Sequence, residues 1–164
     1  MTKIGLLSDT HGWWDDKYAT NFESCDEIWH AGDIGSMTVA ERLAAIKPLR
    51  AVYGNTDGYE LRLLYPRIFQ FSIENVKVMM THIGGYPGYY APEIRTELYA
   101  AKPDLFIAGH SHILKIMYDK PLNCLHINPG AAGHSGIHQV RTLVRFVIDN
   151  GDIKDVEIIE LGTR

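Results

Sequence analysis

The sequence predicts a single α/β domain in which two mixed sheets pack face to face with helices on the outside. Three observations carry that prediction. Strand and helix signals alternate through the first half of the chain, antiparallel strand signals fill the second half, and the 164 residues are 46% hydrophobic and 22% charged. A chain of that length buries roughly 68–70% of its unfolded surface and needs neither disulfide nor metal merely to fold. No repeat, low-complexity tract or linker interrupts it, so one domain is expected over residues 1–164.

Each element has a local signal. Lys3–Ser8 is a short apolar strand, Asp26–His30 ends a second and Leu49–Tyr53 makes a third. Ser36 caps a helix running to about Lys47, with Val39, Leu43, Ala44 and Ile46 on its apolar face and Pro48 behind it. Strands separated by helical segments imply parallel pairing with right-handed crossovers. Arg67–Ile73 and Val76–Thr81 flank a Glu74–Asn75 turn and read as a hairpin. Pro92 opens a helix to about Ala101, and Asp104–Ala108 returns as a buried strand. Lys115–Tyr118, Cys124–Ile127, Thr142–Ile148 and Ile153–Glu160 follow as strands, the last two joined by the strong hairpin signal Asn150–Gly151.

Composition excludes several function classes. A formal net charge of −4 argues against stable nonspecific nucleic-acid binding, which relies on many cationic phosphate contacts. No run approaches the ~20 apolar residues of a membrane span, and the N-terminus has no signal-peptide layout. Cys25 and Cys124 form no CxxC pattern and read as reduced thiols, so a cytoplasmic location is expected.

Five short segments fall just past the carboxyl ends of predicted strands, where ligands bind in open α/β sheets. They are Ser8-Asp9-Thr10-His11-Gly12, Ala31-Gly32-Asp33, Tyr53-Gly54-Asn55, Thr81-His82 and Gly109-His110-Ser111-His112. His11 and Asp33 stand 22 residues apart, as do Asp33 and Asn55, and the next two steps are 27 and 28 residues. Each step is about one strand–crossover–strand unit, so the segments can converge on one edge. Two carboxylates, one amide oxygen and four imidazoles suit metal ions, and donors without thiolate favour Mn, Fe, Zn, Co or Ni over a calcium cage. Singly, each piece has a plain structural explanation: GD and GN are common turns, and a lone His is more often a hydrogen-bonded core residue. Together and in this order they point to metal, and seven ligands fit two ions sharing a carboxylate better than one.

These motifs, Asp9-x-His11, Gly32-Asp33, Gly54-Asn55, His82 and Gly109-His110-Ser111-His112, resemble the signature of the calcineurin-like metallophosphoesterase superfamily. The short chain and its Gly54–Asp57 segment (GNTD) are most similar to the small single-domain prokaryotic phosphodiesterase branch, and the resemblance runs from Lys3 past Asn128-Pro129-Gly130-Ala131. It implies a metallophosphoesterase domain folded as a four-layer α/β/β/α sandwich of two mixed sheets flanked by helices. It implies two divalent metal ions as cofactors: Mn, used most often in the family, with Fe, Zn, Ni or Co also suited. Asp9, His11, Asp33 and His112 would hold one ion, and Asp33 would bridge to a second held also by Asn55, His82 and His110. Asp33, Asn55 and His82 would be catalytic, with Asn55 and Thr56 touching substrate. The implied reaction is hydrolysis of a small phosphodiester by in-line attack of a hydroxide bridging the two metals.

One position departs from the wider family. Many members carry His directly after the GN Asn, where it helps the leaving group depart; here it is Thr56, too weak an acid for that role. Asp57, His134 and His138 are the substitutes by proximity or type, while His126, His134 and His138 also read as ordinary strand or surface histidines. Trp13-Trp14 and Tyr86-Pro87-Gly88-Tyr89-Tyr90 are expected at the rim of the site, stacking on substrate or forming a subunit interface, so a homo-oligomer is compatible with the sequence. Two alternatives accompany the diesterase reading: a non-catalytic protein-interaction scaffold of the same fold, as in the retromer coat, and a phosphomonoesterase or nucleotide phosphatase. All seven ligand positions are filled by competent side chains, which favours an enzyme.

Overall fold

The computed structural model describes residues 1–164. Its first sheet contains β1 (Thr2–Leu7), β2 (Glu27–His30), β3 (Leu49–Ala51), β11 (Val140–Asp149) and β12 (Asp152–Thr163), in the order β12-β11-β1-β2-β3. The second contains β4 (Ile68–Ile73), β5 (Val76–Thr81), β8 (Leu105–Ile107), β9 (Leu114–Asp119) and β10 (Cys124–Pro129), in the order β4-β5-β8-β10-β9. Within them β1, β2 and β3 run parallel to one another, as do β5, β8 and β10. The carboxyl ends of five of these six strands, β10 excepted, carry the predicted ligand segments.

Alternation along each strand produces the layers. Ile4, Leu6, Trp29, Val144 and Phe146 from the first sheet meet Val78, Met80, Leu105, Ile107 and Ile127 from the second in a core between the sheets. The opposite face of the first sheet packs Leu7, Ile28 and Leu143 against α1 (Asp16–Phe22), α2 (Met37–Ile46) and α3 (Tyr59–Leu64). The outer face of the second packs Met79, Phe106 and Cys124 against Ile94 and Leu98, the latter in α4 (Arg95–Ala101). The result is the four-layer α/β/β/α sandwich with two mixed sheets. Gly5 is required in β1 because the Phe22 ring occupies the space that a Cβ would fill.

Most boundaries lie within a few residues of expectation. Ser36 caps α2 by accepting the Val39 N–H at 3.3 Å, and both predicted two-residue turns, Glu74–Asn75 and Asn150–Gly151, have positive φ at both positions. The helix expected from Pro92 starts later, at Arg95, because Ile94 N–H first closes a tight turn on the Ala91 carbonyl. The third strand ends at Ala51, before Tyr53. Helices α1 and α3 and the small ribbon of β6 (Gly85–Tyr86) with β7 (Tyr89–Tyr90) are additions to the predicted set. Cys25 and Cys124 are free and buried, and burial pushes the Cys124 thiol up to about 12. No helix is long and apolar enough to cross a membrane.

Two histidines are fully buried, His30 at the end of β2 and His126 in β10. Burial pushes each down to about 4, whereas both would titrate near 6.5 in the unfolded chain. The folded state therefore binds fewer protons between these values, so stability is whole above about pH 6.5 and falls as pH drops toward 4. Each histidine contributes on the order of 3 kcal/mol to that loss. The thermal midpoint, followed by circular dichroism, is expected to start falling below about pH 6.5; a midpoint level from 6.5 down to 5 would contradict this.

Candidate metal centre

The loops that follow β1, β2 and β8 place their functional residues by an unusual backbone. Asp9 (φ 55°), His11 (φ 46°), Asp33 (φ 53°), His110 (φ 70°) and His112 (φ 62°) all occupy the left-handed region. For non-glycine residues this costs on the order of 1–3 kcal/mol each and persists only where surroundings enforce it. Hydrogen bonds between loops enforce it here: Asp9 N–H to Gly32 O, His11 N–H to Asp33 O, and Gly109 N–H to His82 O, at 3.0, 3.0 and 2.9 Å. Gly12 (φ 78°) and Gly32 (φ 100°) beside them take left-handed turns as well, at no steric cost, whereas the strain sits on the candidate ligands. Gly54 and Gly32 also serve close approach. A Cβ at Gly54 would fall on the Asp33 carboxylate, and one at Gly32 would lie 2.6 Å from His82 Nδ1.

Two triads result, Asp9–His11–His112 and Asp33–His82–His110, with the ligating atoms of each within 4.8 Å of one another. Asp9 Oδ1 lies 3.1 Å from His112 Nε2, 3.6 Å from His11 Nε2 and 3.8 Å from His82 Nε2. Asp33 Oδ2 reaches into both triads, 3.6 Å from His11 Nε2 and 3.1 Å from His82 Nε2. The remaining carboxylate oxygens are held by the protein. Asp9 Oδ2 accepts from Ser8 Oγ (2.6 Å) and His110 N–H (3.1 Å), and Asp33 Oδ1 accepts from Thr56 N–H (3.0 Å).

These atoms fit a cation. Asp9 Oδ1, His11 Nε2 and His82 Nε2 are buried at the junction of the triads without a hydrogen-bond partner, and buried polar atoms rarely stay unpartnered. His82 Nδ1 lies 2.8 Å from the Ala31 carbonyl, which fixes the proton on Nδ1 and leaves Nε2 facing two carboxylates. A lone pair there needs a proton or a metal between it and the oxygens, and a carbonyl on the far ring nitrogen is how metal-binding imidazoles are oriented. Burial works to raise both carboxyls, but His11, His112, His82 and Ser8 outweigh it for Asp9 and hold it well below the usual range. The His82 and Thr56 contacts likewise lower Asp33 to about 2. Both carboxylates are ionised at neutral pH. Asp9 beside it raises His11, and Asp33 and Asp9 raise His82 against its burial. The cluster thus has an unmet demand for positive charge.

The other predicted residues divide sharply. Asn55 is exposed and lines a cavity with Tyr53, Arg62, Arg67 and His82. Arg62 steadies that loop by donating to the Asp57 and Asn55 carbonyls at 2.7 and 3.1 Å. Thr56 is also exposed, its N–H committed to Asp33. Asp57 is buried and accepts the N–H groups of Ile34, Gly35 and Gly54 at 3.2, 2.8 and 2.8 Å; it braces two loops and is not placed to protonate a leaving group. His138 Nε2–H donates to the Gly133 carbonyl (2.8 Å), and the ring packs edge-on to His112. His134 is exposed beside His11 and Trp13, whose ring it meets edge-on at 4.0 Å. Trp13, Tyr86 and Tyr89 face solvent as expected for a rim. Trp14 and Tyr90 do not: Trp14 packs on Tyr18 under the Arg42 guanidinium, and buried Tyr90 donates to Asp119 Oδ2 at 2.6 Å.

Three supporting residues escaped the sequence reading. His30 Nδ1 accepts the Gly32 N–H at 3.1 Å, so its Nε2–H donates to Thr10 Oγ1 (3.0 Å), whose hydroxyl donates to Ile34 O (2.8 Å). This relay joins the loops bearing Asp9 and Asp33. Ser8, noted only as part of its motif, orients Asp9. A strand-terminal His before Ala-Gly-Asp carries no local signal of such a role. Asn128 was singled out as a loop beside the site, and it braces the last ligand segment by donating to Gly109 O and Ser111 Oγ at 3.0 and 3.1 Å.

Comparison with known proteins bears on the family and the fold. A probable metallophosphoesterase of Methanothermobacter thermautotrophicus is 28% identical over 166 residues, covering 97% of this chain and 92% of the relative. An archaeal phosphodiesterase structure superposes with a TM-score of 0.77 at 23% identity, covering 97% of this chain and 99% of the other. Wild-type Vps29 of Entamoeba histolytica in complex with zinc superposes at 0.75 and 15% identity, covering 96% and 98%. At these identities the two structures establish the fold alone. The model of the calcineurin-like phosphoesterase superfamily domain matches residues 2–151, a stretch that contains all six triad residues, and the chain belongs to that superfamily.

Proposed function

We propose that this chain is a metal-dependent phosphodiesterase that hydrolyses a small phosphodiester at a dinuclear centre. The observation that carries the reading is Asp33 Oδ2, within 3.6 Å of an imidazole from each triad at a junction of orphaned buried atoms. Asp9, His11, Asp33 and His112 would hold one divalent ion, and Asp33, Asn55, His82 and His110 the other. When bound, two such ions supply Lewis acidity toward a phosphoryl group and lower the pKa of water.

The chain's own residues set the terms. Ser8 and His110 N–H leave Asp9 a single free oxygen, and Thr56 N–H does the same for Asp33. The Ala31 carbonyl keeps the His82 proton on Nδ1, so Nε2 faces the centre unprotonated once a cation replaces the local proton. Asn55 stands at the mouth, beside Arg62 and Arg67, where a diester anion would arrive. Arg67 forms no ion pair and Arg62 bonds only carbonyls, so both cations are free to attract it. With Thr56 in place of an imidazole and Asp57 bound up in backbone contacts, departure depends on a good leaving group or solvent. His134 lines the same solvent-open cleft as His11.

Four outcomes test the reading. Metal-stripped protein should hydrolyse bis(p-nitrophenyl) phosphate only after Mn is restored, and faster than p-nitrophenyl phosphate; the reverse order would assign a phosphomonoesterase, and no rate with Mn, Fe, Zn, Ni or Co would favour a non-catalytic scaffold. Asp33→Ala should lower the rate at least about 100-fold, beyond what loss of an outer-shell contact costs, with an unchanged circular dichroism spectrum. Mn at 100 times its Kd should raise the wild-type midpoint by roughly 5–11 °C and that of Asp33→Ala far less. Finally, aryl diesters should outpace alkyl diesters by about 10²–10⁴-fold more than in an enzyme with a positioned general acid, which paired substrates would reveal; equal rates would place an efficient acid in the site.

A further inference from the structure

We infer that the cavity between the β6–β7 ribbon and the outer face of the second sheet is a subsite for an amino-bearing nucleobase on one ester arm of the substrate. It rests on the phosphodiesterase reading for the ester, while the pocket itself stands on its own geometry.

The cavity has a volume of about 260 Å³, below the roughly 300–1,000 Å³ that encloses a drug-sized ligand, and so the size for one ring system. Its position ties it to the metal centre. His110, of the second triad, lines one side, so an occupant sits directly beside the place where phosphate would bind. Its walls are aromatic. The Tyr86 and Tyr89 rings lie 5.1 Å apart at 41° on the ribbon, both open to solvent, and Lys115 Nζ stands 3.9 Å over the Tyr86 ring. Lys115 has no carboxylate partner, which suits an arm that carries negative charge at its ester end.

His126 decides the chemical class. It lines the same cavity, is fully buried, and its Nδ1 lies 3.1 Å from the Phe106 carbonyl. The proton therefore sits on Nδ1, and Nε2 is a buried acceptor with no partner in the protein. Asn128 cannot supply one, since both its amide groups are engaged by Gly109, Ser111 and Gly130. An alkyl or glyceryl arm would fill the aromatic walls and leave Nε2 orphaned. The exocyclic amino group of a nucleobase would stack its ring on the tyrosines and donate to Nε2 at the same time.

Two measurements test this and separate it from the esterase reading. Adenosine and purine riboside, which differ only by the 6-amino group, are titrated into metal-stripped protein and followed by quenching of intrinsic fluorescence. Adenosine should bind at least about 5-fold tighter, the worth of one ordinary hydrogen bond, and Tyr86→Ala should weaken both ligands. In the Mn-loaded protein, adenosine 5′-(p-nitrophenyl phosphate) and methyl p-nitrophenyl phosphate share a leaving group. The nucleoside ester should have a kcat/KM about 5- to 150-fold higher, the range of base stacking, and Tyr86→Ala should bring the ratio to within about twofold. Equal binding of the two nucleosides, or an arm preference below twofold in the wild type, would overturn the proposal. Discrimination in binding without hydrolysis of either ester would keep the base subsite and overturn the esterase reading. His126→Phe adds a direct check where it folds; the ligand pair serves where it does not.

Discussion

Two carboxylates that cannot both be neutral and cannot escape their surroundings govern this molecule. Asp9 and Asp33 are buried, yet each is flanked by imidazole nitrogens close enough to hold it ionised against the cost of desolvation. Ionised carboxylates in that position demand positive charge, and the protein itself supplies only imidazoles that ordinarily titrate near 6.5. A cation resolves the arrangement at neutral pH without protonating anything. The orphaned Asp9 Oδ1, His11 Nε2 and His82 Nε2 mark where it acts.

The fold is organised to hold that charge cluster rigid. Parallel strands of both sheets end at one edge, so loops far apart in sequence are stitched together by backbone hydrogen bonds. Those bonds hold five candidate ligands in left-handed conformations that an isolated loop would abandon. Strain at the ligands and close glycine contacts at Gly32 and Gly54 are two sides of one constraint: the side chains converge because the backbone has nowhere else to put them. His30, Thr10, Asp57 and Asn128 transmit the same constraint without touching the centre.

Much of this was legible in the residues. The alternation of strand and helix in the first half, the two Asn- and Gly-containing turns and the Ser36 cap are local signals, and the structure has each of them. The ligand segments were legible because strand ends, glycines and donors coincide five times in order. What was not legible depends on tertiary contact. Helix α1 rests on Asp15 as an N-cap together with Arg141, 126 residues away, which donates to the same carboxylate. The sequence offers Asp57 as a proton donor, but its three backbone N–H partners come from loops that meet only in the fold. Trp14 and Tyr90 look like neighbours of Trp13 and Tyr89 in sequence, yet Trp14 packs half-buried on Tyr18 and Tyr90 is buried against Asp119.

The central claim is that one carboxylate joins two ions, and metal content alone cannot separate two independent sites from a bridged pair. Electron paramagnetic resonance of the Mn-loaded protein, titrated from one to two equivalents per chain, addresses that point directly. A bridged pair gives saturation at two ions with the six-line signal of isolated Mn replaced by a broadened, spin-coupled spectrum, which Asp33→Ala should lose. Saturation at one ion, or two ions that retain isolated six-line signals, would contradict it.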